Sequence, residues 1–237
     1  MPRGTLYLIP VPLGDCGPQS VLPDDVLHVA CGLRYFIVEN AKSARAELKR
    51  FGSTHPIREI DIRELPRNPL AADVDSLLAP LLAGLSAGLM SEAGAPAVAD
   101  PGALLVRAAH TRGIRVAPLV GPSSILLALM ASGLNGQRFA FQGYLPVREP
   151  ERGNRIAQLE RESGREGLTQ IFIETPYRNV ALFHALLKTC KSDTLLCVAV
   201  DMTTPHEHVD TKSVESWRET AAPPLDKRPA VFLMLAR

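Results

Sequence analysis

The sequence predicts an α/β fold in which helices pack on a mostly parallel sheet. Short apolar runs, each too brief for a helix of ordinary length, recur at residues 6–9, 35–38, 87–90 and 114–119. These runs lead into loops of small residues or stretches with helical character, and a strand, loop, helix order repeated in this way indicates parallel strands joined by crossover helices. The helical period is clearest at Val74, Leu77, Leu78, Leu81, Leu82 and Leu85, which fall at i, i+3, i+4, i+7, i+8 and i+11 and line one core-facing side.

Taken in order, the run 6–9 breaks at Pro10-Val11-Pro12-Leu13-Gly14, where two prolines cannot donate to a ladder and glycine permits a turn. Loops that follow strands are where α/β proteins place ligands. Val26, Leu27 and Val29 indicate a helix, residues 35–38 a second buried strand, and residues 43–50 a charged helix stopped by Gly52. After the strand at 87–90, Ser91-Glu92-Ala93-Gly94-Ala95-Pro96 forms a loop whose small side chains leave the backbone accessible. Asp100 is expected to cap a helix with Pro101 at its first position, running to about Arg112 before Gly113 ends it. Residues 114–119 return as a strand. Val120-Gly121-Pro122-Ser123-Ser124 then interrupts the pattern, and the apolar helix at 125–131 is expected to be buried on most sides.

A domain junction near residue 118 divides the chain into 1–117 and 118–237, each an α/β domain. Residues 148–167 are rich in Arg, Glu and Gly and read as a solvated loop and helix. Residues 169–173 and 194–200 are expected as strands with a helix at 178–187 between them. Trp217 falls on a late short helix, and residues 230–235 form a final strand. There is no internal repeat.

Composition narrows the function classes. Of the 237 residues, 46% are hydrophobic and 22% charged, a globular balance that excludes disorder and fibres. Twenty-six basic against 25 acidic side chains generate no field that gathers a polyanion from a distance, so any nucleic-acid contact must rest on a local patch. The longest uncharged stretch, between Arg115 and Arg138, is interrupted by Pro118, Gly121, Pro122 and Asn135 and is too short to span a bilayer. No basic-then-apolar signal opens the chain, so the expected address is cytoplasmic, with no membrane partner. Cys16, Cys31, Cys190 and Cys197 form no C-x-x-C pair and read as reduced thiols, and no metal is expected.

The dinucleotide, P-loop, zincin and α/β-hydrolase signatures are absent from the sequence. What remains are three loops of small residues at strand ends: 10–14, 91–94 and 121–124. Their backbone amides and carbonyls suit a zwitterionic ligand, although each serves equally as a tight turn. His28, His55, His110 and His184 stand singly, and His206-Glu207-His208 reads as a solvated or substrate-facing loop rather than a metal site. Glu39-Asn40-Ala41-Lys42 follows an apolar strand, where it can present a carboxylate and an ammonium to a cleft or simply start a helix.

Together the loops carry a resemblance. The stretch from Ser91 to Pro146, with SEAGAPAVADPG, GIRVAPLVGPSSILLALMASGL and RFAFQGYLP, closely resembles the tetrapyrrole methylase superfamily. Its nearest branch is the 16S ribosomal RNA cytidine 2'-O-methyltransferase family. Pro10-Val11-Pro12-Leu13-Gly14-Asp15 and Glu174-Thr175-Pro176-Tyr177-Arg178 match as well, so the resemblance runs in order over nearly the whole chain.

The resemblance implies an S-adenosyl-L-methionine-dependent methyltransferase of two α/β domains of the tetrapyrrole methylase type, with the cofactor cleft between them, usually as a homodimer. By position, the cofactor would lie against Pro12, Gly14, Ser91, Glu92, Ala93, Gly94, Pro122, Ser123 and Ser124, with Leu145 and Thr175 contributed by the second domain. Methyl transfer is an in-line displacement at a sulfonium carbon, so alignment and exclusion of water are the main tasks and no metal is required. The implied partner is ribosomal RNA or the small ribosomal subunit.

The chain departs from that branch on the substrate side. Glu39-Asn40-Ala41-Lys42 stands where the branch reads Glu-Asp-Thr-Arg, and Asp201-Met202-Thr203-Thr204 with Glu207 stands where it reads Glu-Leu-Thr-Lys followed soon by Glu. Lys227-Arg228-Pro229 replaces a late Lys-Gly-Glu. A ribose hydroxyl is a poor nucleophile that needs a base or a cation beside it, and the surviving candidates are Glu39, Lys42 and Glu207. Arg45, Lys49, Arg50, Arg148, Arg152 and Arg155 are candidates for phosphate contacts, or an ordinary solvated face. Two other readings stay open: a methyltransferase for a small molecule such as a tetrapyrrole, for which 5% aromatic content offers little stacking surface, and a non-catalytic S-adenosylmethionine-binding protein.

Overall fold

The structure, a computed structural model, describes residues 2–237. The chain divides into two compact units, Met1–Ser123 and Ser124–Arg237. The division falls later than the expected junction near 118. Residues 115–118 form a strand paired with the first strand of the chain, and the Leu119 amide still donates to the Leu8 carbonyl at 3.0 Å.

In the first unit, β1 (Thr5–Leu8), β2 (Tyr35–Val38), β3 (Asp61–Glu64), β4 (Ala87–Met90) and β5 (Arg115–Pro118) form one sheet in the order β3-β2-β4-β1-β5, with every pair parallel. Alternate strand residues point to opposite faces, as a pleated strand requires. Phe36, Val38 and Met90 pack with α1 (Asp24–Gly32) and α2 (Ala41–Phe51). Tyr35, Ile37, Ala87 and Leu89 pack with α3 (Ala71–Leu82) and α4 (Ala103–Thr111) on the other face. Both faces are covered, which is why β2 and β4 read as unbroken apolar runs.

Several expectations are corrected. α3 ends at Leu82, so Leu85 lies beyond it, and Leu82 and Leu85 are both exposed rather than core-facing. Asp100 does not cap α4. That helix begins at Ala103 behind Gly102, whose φ of 135° is open only to glycine at little cost. β3 escaped the sequence reading because Asp-Ile-Arg-Glu has no apolar run; it is an edge strand held by backbone pairing to β2.

In the second unit, β6 (Phe139–Tyr144), β7 (Thr169–Ile173), β8 (Leu195–Val200), β9 (His208–Ser213) and β10 (Ala230–Leu235) take the order β6-β7-β10-β8-β9. Only β6 and β7 are parallel, so the expected parallel character fails here. The chain turns directly from β8 into β9, and such a return makes an antiparallel pair without a crossover helix. β9 has no apolar run to mark it in the sequence, because His-Val-Asp-Thr-Lys-Ser is polar and lies at an edge; of its residues only His208 fell in the expected 206–208 loop. α6 (Glu151–Glu166), α7 (Asn179–Thr189) and α8 (Val214–Glu219) pack into one core around Phe172, Phe232 and Trp217. α5 (Ser124–Ser132) lies against β8, β9 and β10. It buries Ile125, Ala128 and Leu129 but leaves Leu126 51% and Met130 78% exposed, so it is not enclosed on most sides. Among the described residues, no helix is long and apolar enough to cross a membrane.

Candidate functional site

The carboxyl ends of β1 and β4 are the natural site in the first unit. These strands are neighbours, yet α1, which follows β1, and α4, which follows β4, pack on opposite faces of the sheet. Connections that leave adjacent parallel strands in opposite directions open a crevice at the strand ends. The loops that follow both strands meet there. Val11 and Gly94 exchange both backbone hydrogen bonds, at 2.9 and 2.8 Å, in an isolated antiparallel bridge. Gly94 has φ 73°, and a Cβ on it would sit 3.2 Å from Leu13 and 3.8 Å from the Pro122 carbonyl oxygen. The third loop closes on the first, since a Cβ on Gly121 would lie 2.4 Å from the Pro10 ring. Loops 10–14, 91–94 and 121–123 therefore converge, with Pro12, Gly94 and Pro122 buried, Ser91 buried at 9% exposure, and Glu92 and Ala93 exposed.

Carboxylates gather on the β2 side of this crevice. Glu39 follows β2 directly, its amide donates to the Met90 carbonyl at 3.2 Å, and its Oε2 accepts the Glu92 amide at 3.3 Å. Ser43 donates through Oγ to Glu92 Oε1 at 2.7 Å. The Asn40 side chain caps α2 by accepting the Lys42 and Ser43 amides, so this segment is both a strand end and a helix start, with Lys42 exposed. Asp100 joins the group, a residue that sequence reasoning had spent on a helix cap. Burial and then the Glu39 charge push its carboxyl up to about 6, with Glu92 adding to the rise and a hydrogen bond from Ser91 opposing it. The sequence signal was an acid inside a run of small residues; the structure holds two alanines of that run, Ala97 and Ala99, at positive φ.

This arrangement fixes a pH dependence. An acid whose pKa is raised from 3.8 to about 6 on folding favours the folded state while protonated, and that contribution is lost as pH rises through about 6. Asp100→Asn should therefore gain on the wild type in thermal midpoint between about pH 5 and about pH 8. A difference between the two proteins that does not change with pH contradicts the assignment.

The other expected residues lie in the second unit. Ser124 starts α5, Leu145 is buried just past β6, and Thr175 follows β7. The Thr175 amide and hydroxyl both donate to Glu174 Oε1, at 2.6 and 3.2 Å. Glu207 closes its own turn, its Oε2 accepting the Thr203 amide at 2.7 Å. In the same turn Asp201 accepts from Arg228 Nε at 2.5 Å. Of the basic candidates, Arg50 pairs with Glu47, Arg152 with Glu149, and Arg155 donates to Gln142, while Arg45, Lys49 and Arg148 are exposed. Among the described residues, no group of three or more His, Cys, Asp or Glu is placed to hold a metal ion.

No family model matches the chain. It is 30% identical over 234 residues to the ribosomal RNA small subunit methyltransferase I of Xylella fastidiosa strain Temecula1, covering 99% of this chain and 81% of that one. The protein of the same name from Vibrio cholerae is 30% identical over 88% of this chain and 69% of its own length. The one from Mesorhizobium japonicum is 32% identical over 89% and 68%. A crystal structure of the methyltransferase CobJ shares the fold, with a TM-score of 0.63 over 99% of this chain and 100% of that one at 15% identity.

Proposed function

This chain belongs to the ribosomal RNA small subunit methyltransferase I family of tetrapyrrole methylases, and from that premise we propose that it methylates ribosomal RNA using S-adenosylmethionine. The observation that carries the reading is the convergence of three small-residue loops at the β1/β4 crevice beside Glu39, Glu92 and Asp100. A cationic zwitterion fits this set of groups. Carboxylates favour its ammonium and sulfonium charges, and loop amides are available to its carboxylate. Pro12, Gly14, Ser91, Glu92, Ala93, Gly94, Pro122 and Ser123 are the first unit's residues for it.

When bound, the cofactor supplies an electrophilic methyl group. Within this unit, the loops orient the ligand, and Glu39 is the base that draws the proton from the acceptor hydroxyl, a ribose 2'-oxygen on this reading. Lys42 stabilises the oxyanion as it develops. Arg45 and Lys49 on the same helix α2 are the candidates for phosphate contacts. A ribosomal acceptor puts the reaction in the cytoplasm. The reading includes a homodimer, favoured by the outward-facing Leu126 and Met130 of α5, and a monomeric mass in light scattering would remove that part.

Isothermal titration with S-adenosylmethionine, followed by labelled-methyl transfer to unmodified small ribosomal subunits, tests the proposal. Binding with transfer supports it; binding without transfer moves the acceptor to a small molecule or leaves a binding protein; no binding ends the cofactor reading. A second outcome follows from Asp100. A cation beside it lowers its pKa, so cofactor binding near pH 6 should release protons. Titrations in buffers of differing ionisation enthalpy will show that release, and buffer-independent heats would argue that the cation does not sit beside Asp100.

A further inference from the structure

The Glu174-Thr175-Pro176-Tyr177-Arg178 motif has an unexplained half. Among the described residues, the exposed large aromatic side chains are Phe139, Tyr144 and Tyr177. Phe139 opens β6, whereas Tyr144 closes it and is paired in register with Ile173 at the end of β7. Tyr177 stands just beyond that end, in the 3-10 turn Pro176–Arg178. The two tyrosines therefore stand at adjacent strand ends, and one of them packs on a cation. The Arg178 guanidinium lies 5.3 Å from the Tyr177 ring centre, and the Tyr144 phenol is close enough to bear on its charge.

The group is held in place before any ligand arrives. Arg178 Nη2 donates to Glu174 Oε1 at 2.7 Å, and that carboxylate is buried, with its side chain only 2% exposed. Pro176 restricts the turn that carries Tyr177. Tyr144 follows Gly143, at φ 65°, and a register shift between Phe141 and Tyr144, a bulge of the kind that re-aims a side chain. Yet Tyr144 is 57% and Tyr177 71% exposed, so much of each ring faces solvent. Solvent-facing π surfaces beside an anchored guanidinium match the chemistry of an unpaired nucleobase and its phosphate. A protein partner would call for a contiguous apolar patch, and here a charged pair lies beside Tyr177.

We propose that Tyr144 and Tyr177, at the adjacent ends of β6 and β7, form a stacking platform for an unpaired base of the RNA acceptor, with Arg178 beside Tyr177. The inference rests on the RNA reading above and names where the second unit takes hold of that RNA. It also supplies the local contact that a chain of net charge +1 needs in place of a long-range field.

The test uses the full chain and a labelled, unstructured single-stranded RNA oligonucleotide in fluorescence anisotropy. Tyr144→Ala and Tyr177→Ala should each weaken binding by about 5- to 100-fold, while Tyr144→Phe and Tyr177→Phe stay within about twofold, because a stacked base needs the ring and not the hydroxyl. S-adenosylmethionine affinity by titration should be unchanged in all four, and the same RNA as a duplex should not distinguish them. Tyr177→Leu, which keeps apolar bulk without a π face, should behave like Ala and serves if Ala lowers the thermal midpoint. Loss in Phe equal to that in Ala, or parallel loss of cofactor binding, overturns the platform. If the wild type methylates subunits and the Ala variants bind RNA as it does, the platform fails and the RNA reading stands. If the wild type neither binds RNA nor methylates subunits, the RNA reading fails and takes the platform with it.

Discussion

Glu39→Gln is expected to lower the turnover number for methyl transfer by about 100-fold, a much larger loss than the weakening of S-adenosylmethionine affinity that follows from removing one of three neighbouring carboxylates, the signature of a lost general base. The substitution is chosen for what it keeps. Glutamine retains a side-chain oxygen to accept the Glu92 amide, now 3.3 Å from Glu39 Oε2, so the 91–94 loop stays in place and only charge and basicity disappear. A readout independent of activity accompanies it. The Glu39 charge is among the causes that raise Asp100, so the variant should bring the Asp100 carboxyl down from about 6, visible as a shifted midpoint in a pH titration. Unchanged turnover, with the Asp100 shift present, would remove Glu39 from the chemistry and leave it as a support for the loop.

Gly121→Ala should weaken S-adenosylmethionine binding about tenfold or more, although it adds a single methyl group. That methyl would sit 2.4 and 2.6 Å from Pro10 Cβ and Cγ and 2.9 Å from Leu22 Cδ2. A proline ring cannot rotate out of the way, so loops 10–14 and 121–123 must move apart. Overpacking of this kind costs about 1–3 kcal/mol, and a site built from the meeting of these loops loses its geometry with them. Gly133→Ala is the matched control. It lies past the end of α5 at φ 69° with nothing within 4 Å of its Cβ, so it carries only the left-handed backbone penalty of about 1 kcal/mol. Calorimetric titration of both variants checks the pair, and equal cofactor affinity in Gly121→Ala and wild type would contradict the convergence of the loops as the basis of binding.

The elements legible beforehand were those whose burial leaves a local pattern. β2 and β4 are covered on both faces and appear as the apolar runs at 35–38 and 87–90, and α3 shows its buried stripe of Val74, Leu77, Leu78 and Leu81. The three loops were legible because glycine, proline and serine mark where a backbone turns and stays accessible. Their order along the chain also carried the family, which the relatives bear out. β3 and β9 were not legible, since an edge strand is held by ladder hydrogen bonds that any polar side chain permits.

By itself, then, the sequence determined the α/β class, the family and the positions of the small-residue loops, because periodicity and turn chemistry are properties of neighbouring residues. Only the tertiary structure decided that β1 lies between β4 and β5, and that the second sheet is largely antiparallel. It likewise decided that Asp100 is half-buried within reach of the Glu39 charge rather than capping α4, and that Tyr144 and Tyr177 stand at adjacent strand ends. Each of these depends on contacts between residues far apart in the chain, which are selected by how whole faces pack and leave no trace in local spacing.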